Sequence, residues 1–140
     1  MIKGTDTMIT QIMNKESFLN TLDLEIKRAM RYQNFFSILR LKLAPLPGSE
    51  NSDEARTCWQ TMREFLAAEL RESDILSFFG EDQWAVIIPY ADLPAVGRLR
   101  SRLLESLQYC DFEKKGYKVS TDVISFPIDG TNTSDLLGKL

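Results

Sequence analysis

With 140 residues, of which 44% are apolar and 26% charged, the chain is long enough for one domain with its own core and too apolar for a disordered segment. Its net charge of −3 argues against the large basic footprint of a protein that binds a nucleic-acid polymer. The complete lack of histidine excludes Ser-His and Cys-His nucleophile pairs and most zinc sites.

The pattern becomes helical after Asn14, whose side chain suits a helix N-cap. Apolar residues then recur at steps of three and four, as in an amphipathic helix: Phe18, Leu22, Ile26, Ala29 and Met30. A strand is predicted over residues 35–43, where leucines alternate with Arg40 and Lys42. Turn-forming residues then lead to a second helix, predicted over residues 54–70.

Two apolar runs, residues 74–79 and 84–90, are separated by a short acidic turn and predict a β-hairpin. The second run is continuously apolar, which is typical of a strand that is covered on both faces. A third helix is predicted over residues 95–107 and a fourth strand over residues 117–127. The order α-β-α-β-β-α-β-α closes with a helix near Ser134 and predicts a sheet covered by helices.

The C-terminal helix needs an N-cap, and Thr133 or Ser134 is expected to supply it. The two cysteines, Cys58 and Cys110, match no metal spacing and are predicted to be free thiols in a reducing compartment. No signal-peptide core and no apolar run of about 20 residues occurs. We therefore expect a cytoplasmic protein that does not insert into a membrane through this segment.

Four stretches of the chain stand out together: ITQIMNKESF (residues 9–18), EIKRAMRYQNFFSILRL (residues 25–41), LRESDILSFFGEDQWAVIIP (residues 70–89) and VSTDVISFPIDG (residues 119–130). In this order they resemble segments of the GGDEF domains, a family that makes cyclic di-GMP from two GTP molecules. The resemblance implies an α+β fold of the nucleotidyl-cyclase, ferredoxin-like palm type, with a mostly antiparallel central sheet flanked by helices.

The resemblance also implies where the domain begins and ends. Residues 14–140 would form the GGDEF-like domain, and residues 1–13 a linker or the end of an upstream signalling helix. The family continues with a longer last helix and usually a further strand. We therefore expect either a truncation at the C-terminal helix and strand or a missing edge supplied by a partner.

The catalytic positions of the family are where this sequence departs from it. A strand-end aspartate and an acid in the signature turn hold magnesium in the family, but here the strand-end position is Arg40, which cannot ligate a cation. The two positions that read guanine fall on Gly48 and Arg56. The degenerate signature itself consists of Gly80, Glu81, Asp82, Gln83 and Trp84. These changes predict a pseudoenzyme with no catalytic residue, no metal and no cofactor.

Asp82 has two interpretations. It is either a leftover metal ligand or a turn acid that forms an ion pair with Arg40 across the strand ends. We favour the ion pair, because one carboxylate alone is a poor magnesium site.

One ligand-binding feature of the family is retained, the RxxD motif at which cyclic di-GMP inhibits active members. Here it is Arg71 to Asp74, and Arg102 falls where the family adds an arginine from the next helix, with Arg98 one turn earlier. Guanidinium forks bind phosphate and the guanine Hoogsteen edge, while a carboxylate accepts from guanine N–H groups. The alternative is that Arg71 complements a helix end, that Asp74 pairs with it, and that the other arginines are a solvated face.

Two functions remain open at this point. The first is an inactive GGDEF-like domain that binds cyclic di-GMP at Arg71, Asp74, Arg102 and Arg98. The second is a ligand-free homodimerisation or protein-interaction module of a larger bacterial signalling protein.

Overall fold

The computed structural model describes residues 14–48, 52–78 and 82–139. Within these ranges the helices are α1 (Lys15–Tyr32), α2 (Ser52–Glu69), α3 (Leu93–Leu107) and α4 (Thr133–Leu137), with a short 3-10 helix at Gln108–Cys110. The strands are β1 (Phe36–Pro45), β2 (Ile75–Phe78), β3 (Gln83–Pro89) and β4 (Tyr117–Phe126). Every predicted helix and strand is present, and the described ends lie within two residues of those expected.

The strands form one sheet in the order β2-β3-β1-β4, and each neighbouring pair is antiparallel. Because β3 is antiparallel to both β1 and β2, those two strands run in the same direction with β3 between them. This is the split βαβ arrangement of ferredoxin-like folds. The α+β palm with an antiparallel sheet is therefore confirmed.

Alternation along the central strands divides the core into two layers. One face of β1 carries Leu39, Leu41 and Leu43, which pack with apolar residues of α2 and α3. The other face packs against α1 and α4, and its core includes Ile38 from β1 and Ala85 from β3. The inner residues of β3 are all buried, as predicted for a strand with helices on both sides.

Side-chain caps determine where three of the helices begin. Asn14 caps α1 as predicted, since its Oδ1 accepts from the N–H of Ser17 at 2.8 Å. The cap of α4 is Asn132 and not Thr133 or Ser134, because Asn132 is the extended residue before the helix and accepts from the N–H of Asp135. Asp92 caps α3, which starts two residues earlier than expected.

Neither Cys58 nor Cys110 forms a disulfide in the described part of the chain, as predicted. In the part of the chain that the structure describes, no helix has the length and apolar character needed to cross a bilayer. Residues 1–13, which we interpreted as a linker or the end of a signalling helix, lie outside the described residues.

Candidate functional site

Arg40 lies in the middle of the sheet and is paired across it. Its register partners are Ala85 on β3 and Asp122 on β4. The guanidinium donates to the Asp122 carboxylate, and 19% of the Arg40 side chain is exposed against 45% of the Asp122 side chain. The basic side chain therefore has an acidic partner within the sheet itself.

The predicted ion pair between Arg40 and Asp82 is wrong, because the strand register places Asp122 opposite Arg40. Asp82 lies beside Leu43, whose N–H donates to the Asp82 carbonyl at 2.9 Å. That position is three residues along the ladder from Ala85, which faces Arg40, so about 10 Å of strand separates the two sites. Asp122, one strand away on the other side, is the nearer carboxylate.

A surface pocket of about 650 Å³ lies next to Asp82. Its volume is within the range of small-molecule sites. The walls are mostly apolar and aromatic, and Arg56 and Asp82 add opposite charges. The lining residues are Leu43, Pro45, Ala55, Arg56, Trp59, Phe78, Asp82 and Tyr117.

Trp84, the last residue of the stretch that we interpreted as a degenerate signature, is a core residue. It is completely buried, and its ring centroid is 5.7 Å from that of Trp59 and 6.2 Å from that of Phe78. Its indole nitrogen has no hydrogen-bond partner within the described structure. Gln83 begins β3, whereas Gly80 and Glu81 lie outside the described residues.

The residues present do not fit a magnesium ion. The position that the sequence resemblance assigns to the strand-end carboxylate holds Arg40, whose guanidinium donates to Asp122. A guanidinium offers no lone pair to a cation. Nor does any group of three carboxylate or thiol side chains capable of holding a metal occur within residues 14–48, 52–78 and 82–139. Asp82 alone supplies too few of the oxygen ligands that magnesium requires.

The turn between α2 and β2 brings Arg71 and Asp74 together. The Asp74 carboxylate accepts from the backbone N–H of Arg71 at 2.9 Å, and the N–H of Asp74 donates back to the Arg71 carbonyl at 3.0 Å. Asp74 thus closes its own turn through one carboxylate oxygen. Its other oxygen, Oδ1, is shielded from solvent and has no hydrogen-bond partner within the described residues.

The three arginines of α3 differ in their surroundings. Arg98 and Arg102 are exposed and lie one helical turn apart. Arg100 points toward the sheet and donates from Nε to Thr121 Oγ1 of β4 at 2.6 Å. Across the described parts of the chain, no hydrogen bond or ion pair joins Arg98 or Arg102 to Arg71 or Asp74.

Sequence reasoning missed two parts of this region. Asp122 was not identified, because a single acid in an amphipathic strand gives no signal until the β1–β4 register is known. The aromatic pocket was missed for the same reason, since Trp59 and Tyr117 come from distant parts of the sequence. The alternation of β4 indicated which residues share a face, but not which strand lies beside it.

No protein-family model matches the sequence, and no curated protein matches it. Solved structures do match it. A DGC protein from Thermotoga maritima has a TM-score of 0.80 and 16% identity, and the match covers 95% of each chain. The FimX GGDEF domain from Pseudomonas aeruginosa has a TM-score of 0.78 and 14% identity, with 93% of this chain and 85% of that one covered.

A third match is the GGDEF domain of DgcB from Caulobacter crescentus, solved in complex with c-di-GMP. Its TM-score is 0.67 at 13% identity, and the match covers 91% of this chain and 78% of that one. At such identities, a likeness of this extent establishes architecture and leaves function to the site residues. The chain has the fold of GGDEF domains.

Proposed function

We propose that this chain is a catalytically inactive GGDEF-like signalling domain that binds cyclic di-GMP at the RxxD turn. The observation that carries the proposal is the Arg71–Asp74 turn. One carboxylate oxygen of Asp74 has no partner among the described residues, while the Arg71 side chain is exposed. A buried acceptor without a donor is costly, and a guanine N–H would satisfy it once the turn admits the base.

The exposed arginines near this turn and on α3 also support cyclic di-GMP as the ligand. Arg71, Arg98 and Arg102 are all exposed, and guanidinium groups bind phosphate oxygens and the guanine Hoogsteen edge through paired hydrogen bonds. The DgcB domain, which has the same fold, was solved with c-di-GMP bound. A cyclic dinucleotide presents two phosphates and two bases, which matches a site made of cations and one carboxylate.

The proposed inactivity rests on two arginines. Arg40 occupies the position of a family magnesium ligand and is held by Asp122. Arg56 lines the pocket beside Asp82. By the sequence resemblance it stands where the family reads guanine with an aspartate, and a guanidinium cannot accept from the N–H groups of guanine. Mg²⁺–GTP would therefore lose both its metal ligand and its base contact. We also propose that the chain uses no cofactor, does not bind a nucleic-acid polymer and is located in the cytoplasm.

Calorimetric titration of the unmutated chain with cyclic di-GMP, and separately with Mg²⁺–GTP, tests the proposal. We expect binding of the first and neither binding nor turnover of the second. Arg71→Ala and Arg102→Ala should each weaken cyclic di-GMP binding at least tenfold, because each removes charge-assisted hydrogen bonds of about 1.5–3 kcal/mol. Arg100→Ala is the matched control, since that side chain is engaged with Thr121.

Two results would overturn the proposal. The absence of any heat or binding with cyclic di-GMP would remove the receptor function, and product formation from GTP would remove the claim of inactivity. Equal losses in the Arg100 and Arg102 variants would show that the RxxD site is not the place of binding.

The second candidate is a ligand-free module that acts through a homodimer or a partner domain. It is favoured by the number of large apolar side chains that stay exposed, among them Tyr32, Tyr90 and Ile128. A dimer whose mass is unchanged by cyclic di-GMP in light scattering would support this second function over the first.

A further inference from the structure

The pocket beside Asp82 lies where the outer end of the sheet meets α2. Continuing the β1–β3 register by one residue places Asp82 opposite Leu43, as the hydrogen bond between their backbones confirms. Alternation along the strand puts Asp82 on the same face of the sheet as Trp84, the face that packs against α2. Arg56 and Trp59 of α2 cover this face. Segments far apart in sequence thus enclose a pocket of about 650 Å³.

The inner end of the pocket is closed by aromatic rings. Trp59 and Phe78 both line it, with ring centroids 5.0 Å apart and ring planes at 82°. Trp84 lies against both, 5.7 Å from Trp59 and 6.2 Å from Phe78 between ring centroids. Aromatic rings attract one another at such distances, in edge-to-face and offset arrangements. One more ring can add to this cluster in the same way, so the inner end suits a planar aromatic group.

Two opposite charges lie just outside this aromatic end. Arg56, which is exposed, precedes Trp59 by one helical turn, so their Cβ atoms are about 5–6 Å apart. Asp82, which is half-buried, precedes Trp84 by two residues, about 7 Å along the strand. Within residues 14–48, 52–78 and 82–139, no ion pair or side-chain hydrogen bond engages Arg56 or Asp82. Both charges can therefore meet a ligand whose ring occupies the aromatic end.

An aromatic α-amino acid matches this arrangement in size and in charge. Its ammonium and carboxylate groups lie about 4–6 Å from the centroid of its ring, as bond lengths and angles dictate. This spacing is close to the distances that separate Arg56 and Asp82 from the aromatic end. A ring placed against Trp59 and Phe78 therefore brings the carboxylate within reach of the guanidinium and the ammonium within reach of the aspartate.

We propose that this pocket binds a small aromatic zwitterion, of the class of the aromatic α-amino acids. The ring lies on Trp59 and Phe78. The ligand carboxylate accepts paired hydrogen bonds from the Arg56 guanidinium, and the ligand ammonium donates to the Asp82 carboxylate. None of these four residues belongs to the Arg71–Asp74 turn. The proposal therefore holds whether or not cyclic di-GMP binds at that turn.

The mixed charge of the pocket argues against two other classes of ligand. A nucleoside triphosphate carries several negative charges, which Asp82 repels as Arg56 attracts them. An uncharged apolar molecule covers both charged groups and gives neither of them a partner, which costs free energy. A zwitterion offers each of the two charges its opposite.

Titration of the full chain with L-phenylalanine, followed by tryptophan fluorescence, tests the proposal. Both tryptophans of the chain, Trp59 and Trp84, lie at the aromatic end, so their emission reports on this pocket. We expect a saturable change with a dissociation constant of about 1 mM or lower, which calorimetry should reproduce. L-Leucine has the same two charges but no aromatic ring and should bind about tenfold more weakly.

Two analogues and two variants separate the charge contacts from any effect on folding. Phenethylamine lacks the carboxylate and 3-phenylpropionate lacks the ammonium, and each should bind about tenfold more weakly than L-phenylalanine. Arg56→Ala should weaken L-phenylalanine binding by about tenfold and change phenethylamine binding by less than about twofold. Asp82→Asn should weaken L-phenylalanine binding by about tenfold and change 3-phenylpropionate binding by less than about twofold. A variant that disturbs the fold would weaken L-phenylalanine and the analogue alike.

Arg63→Ala is the matched control, because Arg63 lies two turns after Arg56 on α2 and is not among the described residues that line the pocket. Arg63→Ala and Arg71→Ala should each change the dissociation constant for L-phenylalanine by less than about twofold. Three results would overturn the proposal. They are the absence of saturable binding of L-phenylalanine, L-tyrosine and L-tryptophan up to about 10 mM, analogues that bind as tightly as L-phenylalanine, and equal losses in the Arg63 and Arg56 variants.

Discussion

Arg40 and Asp122 face each other on adjacent antiparallel strands, and their side chains form an ion pair across the β1–β4 ladder. Arg40, which the sequence resemblance assigns to the position of a magnesium ligand, is thus paired with a strand that the sequence did not associate with it. Arg40 is mostly buried while Asp122 is partly exposed, so the cost of breaking the pair falls mainly on the arginine.

Charge reversal should measure this pair directly. Arg40→Asp places two carboxylates at facing positions and is expected to lower the free energy of unfolding by about 1–3 kcal/mol. The double variant Arg40→Asp, Asp122→Arg should recover at least half of that loss. Urea unfolding followed by circular dichroism provides the measurement.

The control for the charge reversal is the exposed pair between Lys27 and Asp23, whose side chains are 70% and 53% exposed. Lys27→Ala should cost about 0.5 kcal/mol or less. If the double reversal is no more stable than Arg40→Asp alone, the Asp122 pairing does not stabilise the sheet.

Replacing Trp84 should lower the free energy of unfolding according to the side-chain volume that is removed from the core. Trp84→Ala leaves a cavity between α2 and the sheet and is expected to cost about 3–5 kcal/mol. Trp84→Phe removes less volume and also removes an indole N–H that has no partner among the described residues, so we expect a cost of about 1 kcal/mol. Thermal and urea unfolding of both variants should show this order, and equal losses would contradict it.

Gln33 follows α1 with a φ of 55°, which a glycine adopts more easily. Gln33→Gly should therefore stabilise the chain by about 0.5–1 kcal/mol, raising the midpoint of urea unfolding. Gln108 caps α3 with a φ of −59°, so Gln108→Gly should destabilise by a similar amount. If both variants shift the urea midpoint in the same direction, the backbone φ at these two positions does not determine the change in stability.

Burial raises the pKa of the Cys110 thiol, with Asp111 adding to the rise and Lys115 opposing it. The thiolate fraction at neutral pH is then smaller than in a free cysteine, so alkylation of Cys110 by iodoacetamide should be slower than in the urea-unfolded chain. The rate should increase as pH rises toward the raised pKa. Cys58 is fully buried and should react only on unfolding, as peptide mass spectrometry can show. Reaction of Cys110 at the unfolded rate at pH 7 would contradict the prediction.

Local sequence patterns were sufficient to predict the helices and strands of this fold. The apolar period of α1 and the cap at Asn14 depend on residues that are close in sequence, and the structure has both. The predicted cap of α4 was wrong because Asn132, Thr133 and Ser134 can all act as caps, and only the extended backbone of Asn132 selects one of them.

The geometry of the candidate site could not be predicted in the same way, because it depends on contacts between residues far apart in sequence. The sequence resemblance led us to interpret Arg40 as a replaced ligand, but it could not identify the partner of Arg40. Asp82, in the turn before β3, and Asp122, on β4, are both acids beside β1. Only the register of the sheet places Asp122 opposite Arg40 and leaves Asp82 three residues along the ladder.

The sequence by itself determined which segments are helices and strands, because the spacing of apolar side chains and the capping residues act over a few residues. The tertiary structure alone decided which side chains meet. It paired Arg40 with Asp122 and turned the Asp74 carboxylate onto its own backbone. The physical reason is strand pairing, which fixes neighbours across distances that no local pattern records.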